Sequence, residues 1–185
     1  MADAYQPMAE VTVASEYLYR GRVVNLRLDT VRLPNGSTTK REIVEHRGAV
    51  AIVPLDEDGN VALVRQFRKP AERAILEIPA GTLDPNEDVS VCLHRELREE
   101  TGLVAGKVER LAGYYSAVGF CTEFIEVYLA TELSQGQAGP DEDEWLEVVW
   151  LPLAQAQDMV ERGEIVDAKT IVGLLTLKAR GISRG

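Results

Sequence analysis

The chain has 185 residues, of which 45% are hydrophobic and 27% are charged, a composition typical of one globular core. Thirty acidic and 20 basic side chains give a formal net charge of −10, which repels nucleic-acid backbones and anionic lipid. This charge argues against a DNA-binding or membrane-surface role. Affinity for phosphate must therefore come from local arginines or bound cations.

The cellular compartment of the protein and the oxidation state of its cysteines are predicted from sequence features that are absent. No apolar run reaches the roughly 20 residues of a membrane-spanning helix, and the first residues have no basic and apolar signal region. The two cysteines, Cys92 and Cys121, are too few for a disulfide framework. We therefore expect a cytoplasmic protein with buried or half-buried free thiols.

Residues 1–45 are predicted to form a small N-terminal β ribbon. Short alternating patterns run through residues 11–45, with Val24, Leu26 and Leu28 on one face, and Asn35-Gly36 supplies a hairpin turn. Such a ribbon buries little by itself, so we expect it to pack on the rest of the chain or on a second subunit.

Residues 46–185 are predicted to form the main domain. We expect strands at residues 49–55, 60–67, 75–78, 108–115, 122–131 and 146–150, and helices at 87–101, 152–162 and 167–180. Gly102, Gly163 and Gly181 follow the three helices, as glycine commonly does at helix ends. This mixed order predicts an α/β or α+β sandwich in which helices cover a sheet.

Three acidic residues of the first predicted helix lie on its apolar side. At about 100° per residue, Glu96, Glu99 and Glu100 share the side of the apolar residues, and three basic residues are predicted to face away: His94, Arg95 and Arg98. Neighbouring carboxylates repel one another and are costly to bury unless cations lie among them. Oxygen ligands without histidine or cysteine favour Mg²⁺ or Mn²⁺ over Zn²⁺. The alternative, a solvated acidic helix end, would place the acids away from the apolar side.

The segment around these acids resembles the signature of a known family. It reads Gly81, five residues, Glu87, seven residues, Arg95-Glu96-Leu97, Arg98, Glu99-Glu100, Thr101 and Gly102-Leu103. Every fixed position matches the Nudix box, G-x5-E-x7-R-E-U-x-E-E-x-G-U, in which U is aliphatic. The resemblance covers about residues 46–160. It implies an α/β/α sandwich hydrolase with a mixed sheet, which cleaves a nucleoside diphosphate linked to another moiety with Mg²⁺ or Mn²⁺.

The resemblance also implies roles for individual residues. In the family, the last three glutamates of the box bind metal, which corresponds to Glu96, Glu99 and Glu100, and Ala80 contributes a backbone carbonyl. Glu87 and Arg95 correspond to a supporting salt bridge that shapes the catalytic loop.

Two further segments resemble the ADP-ribose and nucleotide-sugar pyrophosphatase branch of the family. Residues 64–68 (Val-Arg-Gln-Phe-Arg) match its R-Q-[FY]-R strand, and residues 77–81 (Glu-Ile-Pro-Ala-Gly) match its E-x-P-A-G lead into the box. Members of this branch exchange the N-terminal ribbon across a homodimer. Arg65 and Arg68 are predicted to be like-facing guanidinium groups suited to a diphosphate. The alternative is an exposed edge strand kept soluble by arginine.

A third segment departs from the branch pattern. Where the branch has Ser-Pro-Gly before a Glu, this chain has Val118 in place of the proline, while Gly119 and Glu123 remain. The resemblance places Gly119 near the substrate and Glu123 near the metal site or the ribose, although a solvated glutamate at a strand start is an equal alternative for Glu123. Tyr17 or Tyr19, from the ribbon, is the candidate ring for stacking the base, and core packing is the alternative for either ring.

Residues 140–148 (Pro-Asp-Glu-Asp-Glu-Trp-Leu-Glu-Val) resemble the E-x-E loop of the branch. Glu142 is the candidate general base and Glu144 a candidate metal ligand, with the register among Glu142, Asp143 and Glu144 left open. Glu99 is the next candidate for the base. An acidic run of this kind is otherwise a solvated loop.

The sequence therefore predicts a Mg²⁺-dependent, homodimeric pyrophosphatase that hydrolyses ADP-ribose to AMP and ribose 5-phosphate. The nearest alternative is a nucleotide-sugar hydrolase of the same branch, for example one acting on GDP-mannose. A non-catalytic ADP-ribose sensor is disfavoured because every box residue is kept. An RNA-processing enzyme is disfavoured by the net charge and the missing basic patch.

Overall fold

The computed structural model describes residues 8–136 and 145–182. The chain divides into two compact units. Unit 1 contains the described residues through Arg47 together with Tyr115–Glu123, and unit 2 contains Gly48–Tyr114 and the described residues from Phe124 onward. Residues 115–123 thus join the N-terminal unit, although they are distant from it in sequence.

Unit 1 is built on an antiparallel sheet of three strands in the order β1-β2-β3: β1 (Val11–Arg20), β2 (Asn25–Arg32) and β3 (Thr38–Glu45). The turn at Asn35-Gly36 is confirmed, and Gly36 adopts a φ of +85°, which glycine tolerates without steric cost. Strand β1 is exposed along all ten residues and has two irregularities in its pairing with β2. The predicted antiparallel ribbon is therefore confirmed.

The face of β2 that carries polar residues is more buried than its apolar face. Asp29 is buried and pairs with Arg27, whose Nε lies 2.9 Å from Asp29 Oδ1, while Leu26 and Leu28 are only half-buried. Arg27 also pairs with Glu45 of β3. Buried charges are stable when they are paired, and this pair links β2 to β3.

Unit 2 contains two sheets. A mixed sheet has the order β7-β4-β9-β8, with β4 (Ala49–Pro54) parallel to β9 (Phe124–Gln135) and antiparallel to β7 (Ala80–Thr82). β8 (Leu103–Tyr115) forms its far edge. An antiparallel sheet has the order β10-β5-β6, formed by Leu146–Pro152, Asn60–Arg68 and Arg73–Glu77.

In the described part of the chain, three helices cover these sheets: α1 (Val89–Thr101), α2 (Leu153–Glu161) and α3 (Ala168–Ala179). Strand β4 is buried on both faces, because Val50 and Ile52 pack in the cluster that includes α1, while Ala51 and Val53 pack in the cluster that includes α2 and α3. Alternate residues of one strand thus serve two cores, as expected for a sheet covered on both faces. The predicted α/β/α sandwich with a mixed sheet is confirmed.

The element bounds differ from the sequence prediction at a few ends. Helix α1 begins two residues late, at Val89, because Asp88 is its N-cap. Strand β8 begins at Leu103 rather than at residue 108 and follows Gly102 directly. Both thiols are free, as predicted, with Cys92 buried and Cys121 half-buried. None of the helices in the described part of the chain is both long and apolar enough to span a membrane.

Candidate active site

Helix α1 is fixed at both ends by local interactions. The Asp88 side chain accepts a 2.8 Å hydrogen bond from the backbone N–H of Ser90, as an N-cap does. Gly102 ends the helix with a φ of +72°, and its N–H donates to the carbonyl of Arg98. Leu93 and Leu97 are buried against the sheet, so the orientation of the remaining residues around the axis is determined.

The box glutamates lie toward the buried side of α1, as predicted. Glu100 is 4% exposed, and its Oε2 accepts a 3.0 Å hydrogen bond from the backbone N–H of Ala80. Glu96 and Glu99 are partly buried, while His94 and Arg98 are exposed. The carboxylates are therefore grouped where α1 meets β7.

The predicted orientation of Arg95 is wrong. Instead of facing away from the acids, its Nη1 lies 2.7 Å from Glu96 Oε1 and 3.2 Å from Glu99 Oε2. Its Nε and Nη2 donate to the two carboxylate oxygens of Glu87, each at 3.0 Å. A helical-wheel angle describes only the Cβ direction, whereas the long arginine side chain can reach the neighbouring carboxylates. The positively charged side chain of Arg95 thus lies among the glutamates of the box.

The ion pair of Glu87 and Arg95 confirms the contact implied for these residues. Hydrogen bonds from Arg95 and from the backbone N–H of Asp84 lower the pKa of Glu87 to about 2. Hydrogen bonding to Glu87 raises the pKa of Arg95 despite its partial burial. The pair therefore stays ionised at any pH at which the protein would act, and it holds the loop that precedes α1 against the helix.

The carboxylates suit a divalent cation in chemical type. Within residues 8–136 and 145–182, no three His, Cys, Asp or Glu side chains already form a metal cluster, and Arg95 contacts two of the box acids. A Cβ atom at Gly81 would lie only 1.8 Å from Glu96 Oε1, so the missing side chain makes room for this carboxylate beside the backbone of β7. Hard oxygen ligands of this kind fit Mg²⁺ or Mn²⁺. Glu96, Glu99 and Glu100 are the residues that would hold it.

The prediction that Arg65 and Arg68 face the same way is wrong. The two positions are three residues apart on β5, and side chains alternate between the faces of a strand. Arg65 pairs with Glu147 of β10 at 3.0 Å, whereas Arg68 donates from Nε and Nη2 to Glu77 of β6 at 2.7 and 2.8 Å. Only one of the two guanidinium groups can therefore serve a given diphosphate from this strand.

Glu77 is the centre of a buried charge network that the sequence analysis missed. Its carboxylate is nearly inaccessible and also accepts from Lys169 of α3, whose Nζ lies 3.0 Å from Asp167 Oδ1. Burial opposes ionisation of Glu77, but the hydrogen bonds and charges of Arg68 and Lys169 outweigh it and lower its pKa. A glutamate at the end of an otherwise apolar strand was the signal that could have revealed this network.

Three predicted substrate contacts lie in unit 1. Tyr19 is exposed on β1, and Gly119 lines a surface groove with neighbours that include Arg41, Ile43 and Cys121. Glu123 pairs with His46, with 3.4 Å between Oε1 and Nδ1. Because they are exposed at the surface, Tyr19 and Gly119 are accessible to a ligand. Glu142 and Glu144 lie outside the described residues.

Comparison with known proteins shows the family to which the chain belongs. A family model described as the NUDIX domain matches residues 45–172. The chain belongs to the Nudix family. A second model, the nucleoside diphosphate sugar hydrolase N-terminal domain, matches residues 10–44. Nudix hydrolases generally use divalent metal ions, and α1 carries carboxylates of the chemical type that such ions prefer.

Relatives of this Nudix hydrolase include enzymes named for two substrates. An ADP-ribose pyrophosphatase of Bacillus subtilis (strain 168) is 42% identical over 175 residues, covering 94% of this chain and 95% of that protein. A GDP-mannose pyrophosphatase of Enterobacter sp. (strain 638) is 34% identical over 170 residues, covering 85% of this chain and 88% of that protein. A solved structure described as an ADP compounds hydrolase superposes with a TM-score of 0.81 at 26% identity, covering 94% and 96% of the two chains.

Proposed function

We propose that the protein is a cytoplasmic, Mg²⁺-dependent enzyme that hydrolyses the diphosphate of ADP-ribose to AMP and ribose 5-phosphate. The observation that supports this most directly is the grouping of Glu96, Glu99 and Glu100 beside Ala80 and Gly81, on the partly buried side of α1. The similarity to an ADP-ribose pyrophosphatase along nearly the whole chain supports the choice of substrate.

Three box glutamates, with the carbonyl of Ala80, would hold the cation. A bound Mg²⁺ supplies charge to neutralise the diphosphate and lowers the pKa of a coordinated water. The ion pair of Arg95 with Glu87 keeps the box helix and its loop in place, because both groups remain charged. Arg95 also contacts Glu96 and Glu99, so it offsets part of their mutual repulsion before a cation binds.

Arg68 is the residue proposed to bind the diphosphate. Glu77 occupies its Nε and Nη2, while Nη1 has no partner among the described residues and the side chain is 41% exposed. The guanidinium is therefore held at one edge and can donate from the other. A charge-assisted hydrogen bond to a phosphate oxygen suits this arrangement.

The bond between one phosphorus and the bridging oxygen breaks when water attacks that phosphorus. The water proton passes to a carboxylate, for which Glu142 is proposed and Glu99 is the next candidate. We also propose that Glu144 helps to bind the metal. Three further residues are proposed to contact the nucleoside: Tyr19, Gly119 and Glu123.

A substrate panel tests the proposed function. We expect ADP-ribose with Mg²⁺ to give a higher kcat/KM than GDP-mannose, UDP-glucose, NADH and diadenosine polyphosphates. The products should be AMP and ribose 5-phosphate in equal amounts, measured by chromatography. No turnover of any of these compounds with Mg²⁺ or Mn²⁺ would overturn the enzyme assignment.

GDP-mannose is the second candidate substrate. Val118, which stands where the branch has proline, is strongly exposed, and this replacement favours neither substrate over the other. The Enterobacter relative supports this candidate. A kcat/KM for GDP-mannose above that for ADP-ribose in the same panel would establish it.

We further propose that residues 1–45 form a distinct ribbon that mediates a homodimer. Strand β1 presents large apolar side chains to solvent, including Val13 and Leu18, and its outer edge has no partner strand among the described residues. Exposed apolar strands of this length are unusual unless they are covered by another chain.

Light scattering at micromolar concentration should therefore show a dimer for the wild-type protein. The double variant Val13→Lys/Leu18→Lys should raise the dimer dissociation constant at least about 100-fold, equivalent to about 3 kcal/mol, because it would bury two unpaired charges. Thr38→Lys, on the exposed start of β3, is the control and should leave the dimer intact. A wild-type monomer with full activity would contradict the dimer.

A further inference from the structure

The first turn of α3 holds the chain segment that leads into the box. The Oγ1 of Thr170 accepts a 2.8 Å hydrogen bond from the backbone N–H of Ile78, and Lys169 donates to the adjacent Glu77. Asp167 caps the helix by accepting from the N–H and the hydroxyl of Thr170, at 3.0 and 2.6 Å. We refer to Asp167, Lys169 and Thr170 as the α3 clamp.

Lys169 lies in the least solvated part of this clamp. Its side chain is 11% exposed and that of Glu77 is 2% exposed. Burying an ammonium group is costly, and replacing buried ion pairs by apolar side chains often leaves a protein as stable or more so. That comparison applies to a whole ion pair, whereas removal of Lys169 alone would leave the buried Glu77 carboxylate with Arg68 as its remaining paired cation among the described residues.

Lys169 supplies one of the two positive charges that pair with Glu77. Arg68 and Lys169 are positive and Glu77 and Asp167 are negative, so the four sum to zero. Without Lys169, the remaining three side chains, Arg68 included, would carry a net charge of −1. A dianionic diphosphate would then meet repulsion at the place where Arg68 has to bind it.

Lys169 also determines where the Glu77 carboxylate lies. Glu77 Oε2 accepts from both Lys169 Nζ and Arg68 Nη2, and Oε1 accepts from Arg68 Nε. Removal of the lysine would leave the carboxylate bonded to Arg68 without its link to α3, whereas with the lysine the carboxylate is anchored to that helix. The direction of Arg68 Nη1 thus depends on a residue that lies outside every motif of the sequence.

We propose that Lys169 is a positioning residue for diphosphate binding, which acts through Glu77 on Arg68. The inference rests on the proposed function, since it takes a diphosphate as the group that Arg68 binds. It adds a residue of α3 to the substrate-binding apparatus and gives the buried charge network a role in affinity.

The test compares Lys169→Met with Lys169→Arg and with Lys178→Met. Lys178 lies on the same helix, where it forms an exposed ion pair with Glu161. Lys169→Met should raise the KM for ADP-ribose about tenfold, the effect of one lost interaction of about 1.4 kcal/mol, and change kcat less than about threefold. Lys169→Arg should restore KM to within about threefold of wild type, and Lys178→Met should leave both constants unchanged.

A double-mutant cycle separates positioning from a general loss of structure. If Lys169 acts through Arg68, then Lys169→Met added to Arg68→Met should raise KM by less than about twofold further. Additive effects in this cycle would overturn the proposal, as would a loss of kcat at unchanged KM. If Lys169→Met fails to fold by circular dichroism, Lys169→Gln takes its place in the same cycle.

Binding of inorganic pyrophosphate distinguishes failure of this inference from failure of the proposed function. If the wild-type protein does not hydrolyse ADP-ribose, the proposed function fails. Titration of pyrophosphate with Mg²⁺ by calorimetry still tests the role of Lys169, which predicts about tenfold weaker binding in Lys169→Met and no change in Lys178→Met. Equal affinity in all three proteins would overturn it.

Discussion

Replacing Glu100 by glutamine should weaken Mg²⁺ binding and reduce kcat about 10³-fold, equivalent to about 4 kcal/mol, because one negative ligand is lost. The fold should survive, since the amide oxygen can still accept the hydrogen bond from the N–H of Ala80 that Glu100 accepts in the wild-type protein. Glutamine also has nearly the same shape as glutamate, so the buried space next to β7 stays filled.

Calorimetry with Mg²⁺ and a kcat measurement at saturating metal check this result. Glu96→Gln and Glu99→Gln belong in the same series, and Glu161→Gln, on the exposed end of α2, is the matched control. The control should bind Mg²⁺ and turn over as wild type does. Unchanged metal affinity in all three box variants would remove the metal assignment from α1.

Glu142→Gln should lower kcat by roughly 10²- to 10⁴-fold, the usual range for loss of a general base, with little change in KM or in metal dependence. Glu144→Gln should instead raise the Mg²⁺ concentration needed for half-maximal rate, and additional Mg²⁺ should restore part of the rate. The two roles can be separated because proton transfer responds to pH, whereas ligation responds to metal concentration.

A grid of pH against Mg²⁺ concentration, measured for each variant, distinguishes the two carboxylates. Asp141→Asn provides the control from the same acidic stretch and should behave as wild type. Should both glutamine variants keep a near wild-type kcat, the acidic loop has no catalytic role, and Glu99 becomes the candidate base.

Much of the fold could be predicted from local patterns. The apolar run at residues 49–55 and the glycines that follow the helices identify elements because each depends on residues close in sequence. Helix α1 could also be placed, since its apolar side and its cap are both local. The joining of residues 115–123 to the N-terminal unit could not, because the backbone bonds between Val44 and residues 120–122 leave no side-chain signal.

The candidate site was predictable to the extent that its residues lie in one motif. Glu96, Glu99 and Glu100 could be placed on the buried side of α1 from helical spacing alone. The contacts of Arg95 could not, since they depend on which carboxylates the guanidinium reaches in three dimensions. The opposite directions of Arg65 and Arg68 could have been predicted from their spacing of three residues on one strand, but the carboxylate that Arg68 reaches could not. Lys169 was missed because α3 is distant in sequence from Glu77, and a lysine next to a helix start is ordinarily solvated.

Gly81, the first residue of the box, limits which substitutions related sequences can accept at this position. Gly81 does not adopt a positive φ, and the three atoms nearest to a Cβ placed there all belong to the end of the Glu96 side chain. The acid at position 96 is therefore the first group that restricts the residue at position 81. In relatives that have lost the acid, alanine or serine should become acceptable at the glycine position. Paired change at these two positions would thus mark descendants that have given up metal binding while keeping the fold.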